Sequence, residues 1–165
     1  AIGQSYNNYT SALMSKYVAT LANGGTRYSM HFLNKITTND GKIEEEYQPK
    51  VESKIEIKKE NLDAIFRGMF LVTTGPRGTL RSYFKDFPVN VAAKSGTAQQ
   101  SSKRSEHTTF VAFAPLEDPQ ISVCVIIPFG NGTTGPAPKV AKAAISEYLK
   151  LDYESELKSY DTLLH

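Results

Sequence analysis

Residues 94–99 read Lys-Ser-Gly-Thr-Ala-Gln and lie inside a strand-like run from Val89 to Gln100. Two more predicted strands follow, Thr108–Ala114 and Ile121–Pro128, and both are apolar at nearly every position. Strands with such continuous apolar runs, rather than alternating ones, are normally covered on both faces. The sequence therefore predicts a sheet packed between helical layers.

Three segments carry apolar residues at helical spacing and are predicted as helices: residues 10–22, 60–73 and 139–149. Thr10 can cap the first helix, and Leu13, Met14, Tyr17, Val18 and Leu21 form one apolar stripe along it. The glycine-containing stretches at 23–25 and 75–76 end the first two helices. The expected fold is an α/β (α+β) sandwich, an antiparallel sheet with helices on both faces.

Between the first two helices, the sequence predicts a β-hairpin. The runs Thr26–Thr38 and Lys42–Gln48 are β-like, and Asn39-Asp40-Gly41 between them is a strong hairpin turn signal. His31 falls in the first of these runs, where a packed or surface role is expected for it.

Length, charge and cysteine content limit the classes of function that this chain can have. A chain of 165 residues fits one domain, and a domain near this size buries about 68–70% of its unfolded surface. The net charge of +2 is too small, and the basic residues too scattered, to favour nucleic-acid binding. The single cysteine, Cys124, excludes an internal disulfide framework and is expected to be a buried thiol. No apolar run reaches the roughly 18 residues of a membrane span.

The residue types at 94–97 suit acyl-transfer chemistry. They supply a cation, two hydroxyl groups and a glycine that lets another backbone approach, which fits a site that binds a carboxylate and directs an N–H at a reacting carbonyl. Strict alternation places Lys94 and Gly96 on the face opposite to Ser95 and Thr97. All four can serve one cleft only if that cleft lies along an exposed strand edge, or if the strand twists there.

This motif resembles the Lys-Thr/Ser-Gly motif of penicillin-binding proteins and serine β-lactamases. Other matches occur in the same order: Ala-Ile-Gly-Gln at 1–4, Ala-Asn-Gly-Gly at 22–25, and the run Phe-Val-Ala-Phe-Ala-Pro at 110–115 with Asp-Pro at 118–119. Together they cover residues 1 to about 150. The chain resembles the C-terminal half of a class B (monofunctional) penicillin-binding protein transpeptidase domain.

The resemblance implies a partial β-lactamase/transpeptidase-like fold, with residues 1–151 as the C-terminal half of the domain and 152–165 as a polar tail. It also implies acyl transfer on peptidoglycan stem peptides, in which a serine attacks the penultimate D-alanyl carbonyl and β-lactam antibiotics acylate the same serine. No cofactor or metal is expected. The site would lie on the extracytoplasmic face of the bacterial cell membrane, with the anchor outside this chain.

The resemblance also implies a role for each motif residue. Lys94 would contribute charge and assist proton movement, and the Ser95 and Thr97 hydroxyls would hold a carboxylate. The Thr97 N–H would be one of two oxyanion donors. Gly96 would keep the strand clear, so that substrate lies along it as an added strand.

The nucleophile motifs of the family have no convincing match. Ser-x-x-Lys occurs only at Ser82–Lys85 and Ser155–Lys158, and Ser-x-Asn at Ser5–Asn7 falls after its expected place. We interpret all three as chance matches. The expected partner is therefore the N-terminal half of the same protein, which would carry the serine, and the chain alone is expected to be inactive.

Other interpretations stay open. A β-lactamase or D,D-carboxypeptidase shares the motif, and a non-catalytic β-lactam sensor or cell-wall scaffold could keep the fold without turnover. Residues 76–79, Pro-Arg-Gly-Thr, lie near the cleft in the family, although a structural loop is equally compatible with them. His107 is expected near the mouth of the cleft, and no paired ligands at recognisable spacing favour a metal there.

Overall fold

The computed structural model describes residues 9–99, 104–130 and 135–151. The elements in chain order are α1 Ser11–Ala22, β1 Thr26–Tyr28, β2 Lys35–Thr37, β3 Ile43–Glu46, β4 Val51–Lys54, α2 Lys59–Thr74, α3 Arg81–Phe84, β5 Ala92–Ala98, β6 His107–Ala114, β7 Ile121–Ile127 and α4 Ala137–Tyr148. The predicted helices and the last three predicted strands are confirmed with small shifts at their ends. None of the described helices has the length and apolar composition needed to cross a membrane.

The main sheet is antiparallel, and its strand order is β5-β6-β7. Ser95 of β5 stands opposite Phe110 of β6, and Phe110 in turn stands opposite Val125 of β7. The central strand is therefore hydrogen-bonded on both edges. Strand β5 is an outer strand of this sheet within the described part of the chain.

The side chains of β6 alternate between two cores, because successive residues of a strand point to opposite faces. Phe110 packs in the cluster that contains Ala141 and Ile145 of α4, and its ring stacks 6.1 Å from that of Phe84 in α3. The side chain of Phe113 joins the other cluster, which contains Val18 of α1 and partly buried residues of α2. Helices thus cover both faces of the sheet, which confirms the predicted sandwich.

The first helix begins and ends where the sequence predicts. The Thr10 hydroxyl accepts a hydrogen bond from the Leu13 N–H at 3.2 Å, the usual side-chain cap of a helix start. Gly25 has φ +105°, and a Cβ there would lie 2.2 Å from the Ile55 carbonyl oxygen, so only glycine fits. Val18 is buried, but Leu13 and Tyr17 are 38% and 57% exposed. The apolar stripe of α1 is therefore only partly buried.

The predicted long strand Thr26–Thr38 was also wrong. Strands β2 and β3 form the expected hairpin, whereas β1 pairs with β4, a strand that the sequence analysis missed. All four residues of β4 are exposed, so no apolar alternation marks it. His31 lies between β1 and β2 rather than in a strand, and its ring stacks on Tyr47 at 3.4 Å.

One buried hydroxyl joins α2 to the strand that carries the motif. The Thr73 Oγ1 lies 2.7 Å from the carbonyl oxygen of Val91 and 2.8 Å from that of Phe70, and the residue is fully buried. The hydrogen bond to Val91 crosses from the last turn of α2 to the residue before β5. This contact sets the position of the end of α2 relative to β5.

Replacing this hydroxyl by a methyl group should destabilise the fold. For Thr73→Val we expect a loss of about 1–3 kcal/mol in the free energy of unfolding, because a buried carbonyl loses its donor. Thr74→Val is the matched control, since the Thr74 hydroxyl donates to the Phe70 carbonyl oxygen within α2. Chemical denaturation of the two variants measures the difference. Equal losses for both would contradict a special role for Thr73.

A charged cluster joins α1 to the β1-β4 pair. The Glu52 carboxylate accepts from Lys16 Nζ at 2.6 Å and from Arg27 Nε at 2.9 Å. The hydrogen bond from Lys16 holds the pKa of the Glu52 carboxyl below its ordinary value of 4.5. A lowered pKa in the folded state means that the carboxylate stabilises the fold above this ordinary value, and that the effect is lost as the pH falls through the folded-state pKa.

The Glu52→Gln variant should therefore melt below the unsubstituted chain at about pH 7, and the gap should narrow as the pH falls below 4.5 and the carboxylate is protonated. Thermal unfolding midpoints over that pH range provide the measurement. Glu56→Gln serves as the control, because Glu56 is exposed and has no ion-pair partner among the described residues. A gap that stays constant over the whole range would show that Glu52 acts through packing rather than charge.

Candidate active site

The motif residues occupy the middle and end of β5. Lys94 is exposed, Ser95 is 7% exposed, and Gly96 and Thr97 are half-buried. In the described part of the chain, β5 pairs only with β6. Its other edge therefore presents N–H and C=O groups that no described strand satisfies, as expected at the edge of a sheet.

The two faces of β5 separate as strand alternation requires. Ala92 belongs to the cluster of Phe113 and α1, and Ala93 belongs to the cluster of Phe110 and α4. Continuing this alternation places Lys94 on the first face and Ser95 on the second. Nevertheless, both residues line one cavity of about 600 Å³. The cavity thus reaches both faces at the edge of the strand, which is the arrangement that a shared cleft needs.

The other wall of this cavity comes from the end of α2 and the turn that follows it. It contains glycine, apolar and hydroxyl residues and one further cation: Gly68, Leu71, Val72, Gly75, Pro76, Arg77, Gly78 and Thr79. No acidic side chain lines the cavity in the described part of the chain. Lys94 and Arg77 therefore give it a positive character.

The Lys94 ammonium group is hydrogen-bonded to the backbone of its own strand. Its Nζ donates to the carbonyl oxygen of Ser95 at 2.5 Å, and none of the ion pairs among the described residues involves Lys94. An ammonium group has three donors. The remaining donors of Lys94 are therefore available to an anionic ligand in the cavity.

Gly96 is not required by its own surroundings. A Cβ built on it would lie 3.6 Å from the Thr109 Cβ and 3.7 Å from the Thr109 carbonyl oxygen, which are ordinary contacts. An alanine would therefore fit this strand. Any need for glycine here must come from a molecule that approaches the strand.

The far end of β5 adjoins a cluster of three ring or cationic side chains. His107 stands opposite Ala98, and its Nδ1 accepts a hydrogen bond from the Phe129 N–H at 3.1 Å. The Arg104 guanidinium lies 5.4 Å from the centre of the Phe129 ring. Within residues 9–99, 104–130 and 135–151, no group of three or more His, Cys, Asp and Glu side chains could hold a metal ion.

The remaining candidates lie away from the cavity or outside the described residues. Ser82 is exposed in α3, and Lys85 forms an ion pair with Asp86 at 3.6 Å. Neither of the two lines the cavity. The matches at 155–158 and 5–7 fall outside the described residues. Cys124 is half-buried in β7, where burial raises the pKa of its thiol, so it is poorly suited to act as a nucleophile.

Sequence reasoning left the role of Arg77 and Thr79 open, and the structure places both on the cavity with Lys94 and Ser95. The only signal for this was their position between the end of a helix and the motif strand. Such a position does not show which way a loop folds.

Comparison with known proteins identifies the family of the chain. Residues 1–147 match the penicillin-binding protein transpeptidase domain family. The chain is 32% identical over 161 residues to penicillin-binding protein 2B of Streptococcus pneumoniae (strain R6), covering 91% of this chain and 24% of that protein. It is also 32% identical over 164 residues to the peptidoglycan D,D-transpeptidase MrdA of Escherichia coli (strain K12), covering 91% of this chain and 25% of that protein.

A solved structure gives the same result. Pseudomonas aeruginosa PBP2 in complex with WCK 5153 superposes with a TM-score of 0.73 at 34% identity, covering 93% of this chain and 32% of that chain. The chain spans about a quarter of the length of the curated relatives it matches. The family match over residues 1–147, together with this similarity in sequence and fold, shows that the chain belongs to the penicillin-binding protein transpeptidase domain family and is homologous to the class B penicillin-binding proteins.

Proposed function

We propose that this chain supplies one wall of the active site of a peptidoglycan D,D-transpeptidase that works through an acyl-serine. The observation that carries the proposal is the cavity at the open edge of β5, lined by Lys94 and Ser95 and by no described acidic residue. A positive cavity beside a strand edge that pairs with no other described strand suits an extended peptide that ends in a carboxylate. Membership of the family supports the same reaction.

Each motif residue has a role in this proposal. Lys94 places positive charge in the cleft and assists proton transfer towards the leaving group. The Ser95 and Thr97 hydroxyls bind the carboxylate of a stem peptide or of a β-lactam antibiotic. The Thr97 N–H is one of two donors to the oxyanion, and loss of one such donor in another acyl-transfer enzyme costs about 2.7–4 kcal/mol.

The reacting serine is proposed to come from an N-terminal half of the same domain, with residues 1–151 forming the C-terminal half and 152–165 a polar tail. Two observations support this division. No Ser-x-x-Lys pair lines the cavity in the described part of the chain, and the relatives are about four times as long as the matched region. The isolated chain would then be inactive.

The reaction proceeds in two steps. The serine oxygen attacks the penultimate D-alanyl carbonyl, the C–N bond breaks, and D-alanine leaves after its nitrogen takes up the proton that the serine gave up. An amine of a neighbouring stem peptide then attacks the ester carbonyl, the new C–N bond forms the crosslink, the C–O bond to the serine breaks, and a proton from the amine returns to the serine oxygen. No cofactor is needed. The substrate places this chemistry on the extracytoplasmic face of the bacterial cell membrane.

Labelling with a fluorescent penicillin tests the proposal. The isolated 165-residue chain should stay unlabelled, and the complete polypeptide should be labelled. Lys94→Gln should lower the acylation rate of the complete polypeptide about 100-fold, by analogy with the loss of one electrostatic contact in other acyl-transfer sites. Lys85→Gln is the control, because Lys85 lies outside the cavity.

Three outcomes would count against this assignment. Labelling of the isolated chain at Ser82 would place the nucleophile inside it. Rapid loss of the label from the complete polypeptide would indicate a β-lactamase instead, because a transpeptidase or a sensor deacylates slowly. A complete polypeptide that no penicillin labels would indicate a scaffold.

The Gly96→Ala substitution separates binding from folding. The methyl group fits beside Thr109, and alanine is favoured over glycine within a strand by roughly 0.5–1 kcal/mol. We therefore expect unchanged or slightly higher stability, with penicillin acylation of the complete polypeptide at least about tenfold slower, because substrate can no longer lie close to the strand. Unfolding midpoints and acylation rates of the same variant check both parts. An unchanged acylation rate would show that substrate does not pass over Gly96.

A further inference from the structure

The turn after α2 has a closely fixed backbone. The Gly75 N–H donates to the Leu71 carbonyl at 2.9 Å, and the Leu80 N–H donates to the Val72 carbonyl at 3.0 Å. A Cβ on Gly78 would lie 2.5 Å from the Val72 carbonyl oxygen, so the turn packs against the end of α2 with no room for a side chain there. The backbone of Arg77, inside this turn, is therefore held in place.

Thr73 couples this turn to the motif strand. Its hydroxyl reaches the Val91 carbonyl at 2.7 Å, only a few residues from both Arg77 and Lys94 along the chain. The two cations consequently line the same cavity from opposite walls. Their relative placement is built into the fold rather than left to a mobile loop.

The Arg77 side chain has no hydrogen-bond or ion-pair partner among the described residues, and it is exposed. A guanidinium presents five donors in a planar fork that matches a carboxylate in two parallel hydrogen bonds. Lys94 already uses one donor on the Ser95 carbonyl. A carboxylate in this cavity would therefore be bound more strongly by Lys94 and Arg77 together than by Lys94 alone.

We propose that Arg77 is a specificity-determining residue that binds the carboxylate of the stem peptide or β-lactam, together with Lys94 and the neighbouring Thr79 hydroxyl. This inference rests on the proposed function, because it assumes that the cavity is part of the substrate cleft. Arg77 acts on substrate charge and not on the covalent step. Its removal should therefore matter only for ligands that carry the carboxylate.

The experiment compares penicillin acylation of the complete polypeptide with benzylpenicillin and with its carboxylate methyl ester. Arg77→Gln should slow acylation by the free acid about tenfold or more, the fold-change of one charge-assisted hydrogen bond, and acylation by the ester less than about twofold. The acylation rate of Arg77→Lys should lie between those of the unsubstituted polypeptide and Arg77→Gln. Lysine keeps the positive charge but lacks the planar guanidinium that makes two parallel hydrogen bonds to a carboxylate. Arg81→Gln is the matched control, an exposed arginine that does not line the cavity.

Two results would overturn the inference: equal slowing of the acid and the ester, which would indicate a contact of Arg77 with protein, or no slowing at all. If the unsubstituted polypeptide is not acylated by either compound, the proposed function fails. In that case, calorimetry compares the binding of N-acetyl-D-alanyl-D-alanine with the binding of its C-terminal amide. Tighter binding of the free carboxylate, lost in Arg77→Gln, supports the role of Arg77. Equal binding of the two peptides, or a preference that Arg77→Gln keeps, overturns that role.

Discussion

The burial of β6 on both faces is the constraint on which the rest of the described structure depends. Phe110 and Phe113 are each fully buried, on opposite faces. Helix α4 covers one face while α1 and α2 cover the other. Among the described strands, β5 and β7 each keep one edge that pairs with no other strand, and the cavity lies at the edge of β5. That is why a site on this sheet can use both Lys94 and Ser95, although they point to different faces.

The sequence allowed α1, α2, α4 and the strands of the main sheet to be predicted, because each buries one face or both and burial leaves a periodic apolar pattern. The β1-β4 pairing could not be predicted in this way. All four residues of β4 are exposed, and its partner lies before the intervening β2-β3 hairpin. The four-residue α3 is too short to show a helical period. Leu13 and Tyr17 fit the apolar period of α1, yet they are exposed in the described structure.

One wall of the candidate site could be predicted from the sequence and the other could not. The motif residues on β5 indicated a cation, hydroxyl groups and a backbone that another chain can approach. The opposite wall could not be assigned from the sequence. Arg77 lines the cavity because its turn packs closely on α2 and because the Thr73–Val91 hydrogen bond positions the end of α2 beside β5. The hydrogen bond joins segments that are separate in sequence, and the packing depends on how the turn folds back on the end of α2. Neither leaves a periodic pattern in the sequence.

The electrostatics of the cavity also explain why this wall suits an anionic ligand. Lys94 and Arg77 line it with no acidic side chain among the described lining residues, so the local potential is positive. A carboxylate entering the cavity would be attracted by both cations, and no described acidic lining residue would compete for them. This excess of positive charge is the physical reason to interpret the pair as part of a binding site rather than as a solvated surface.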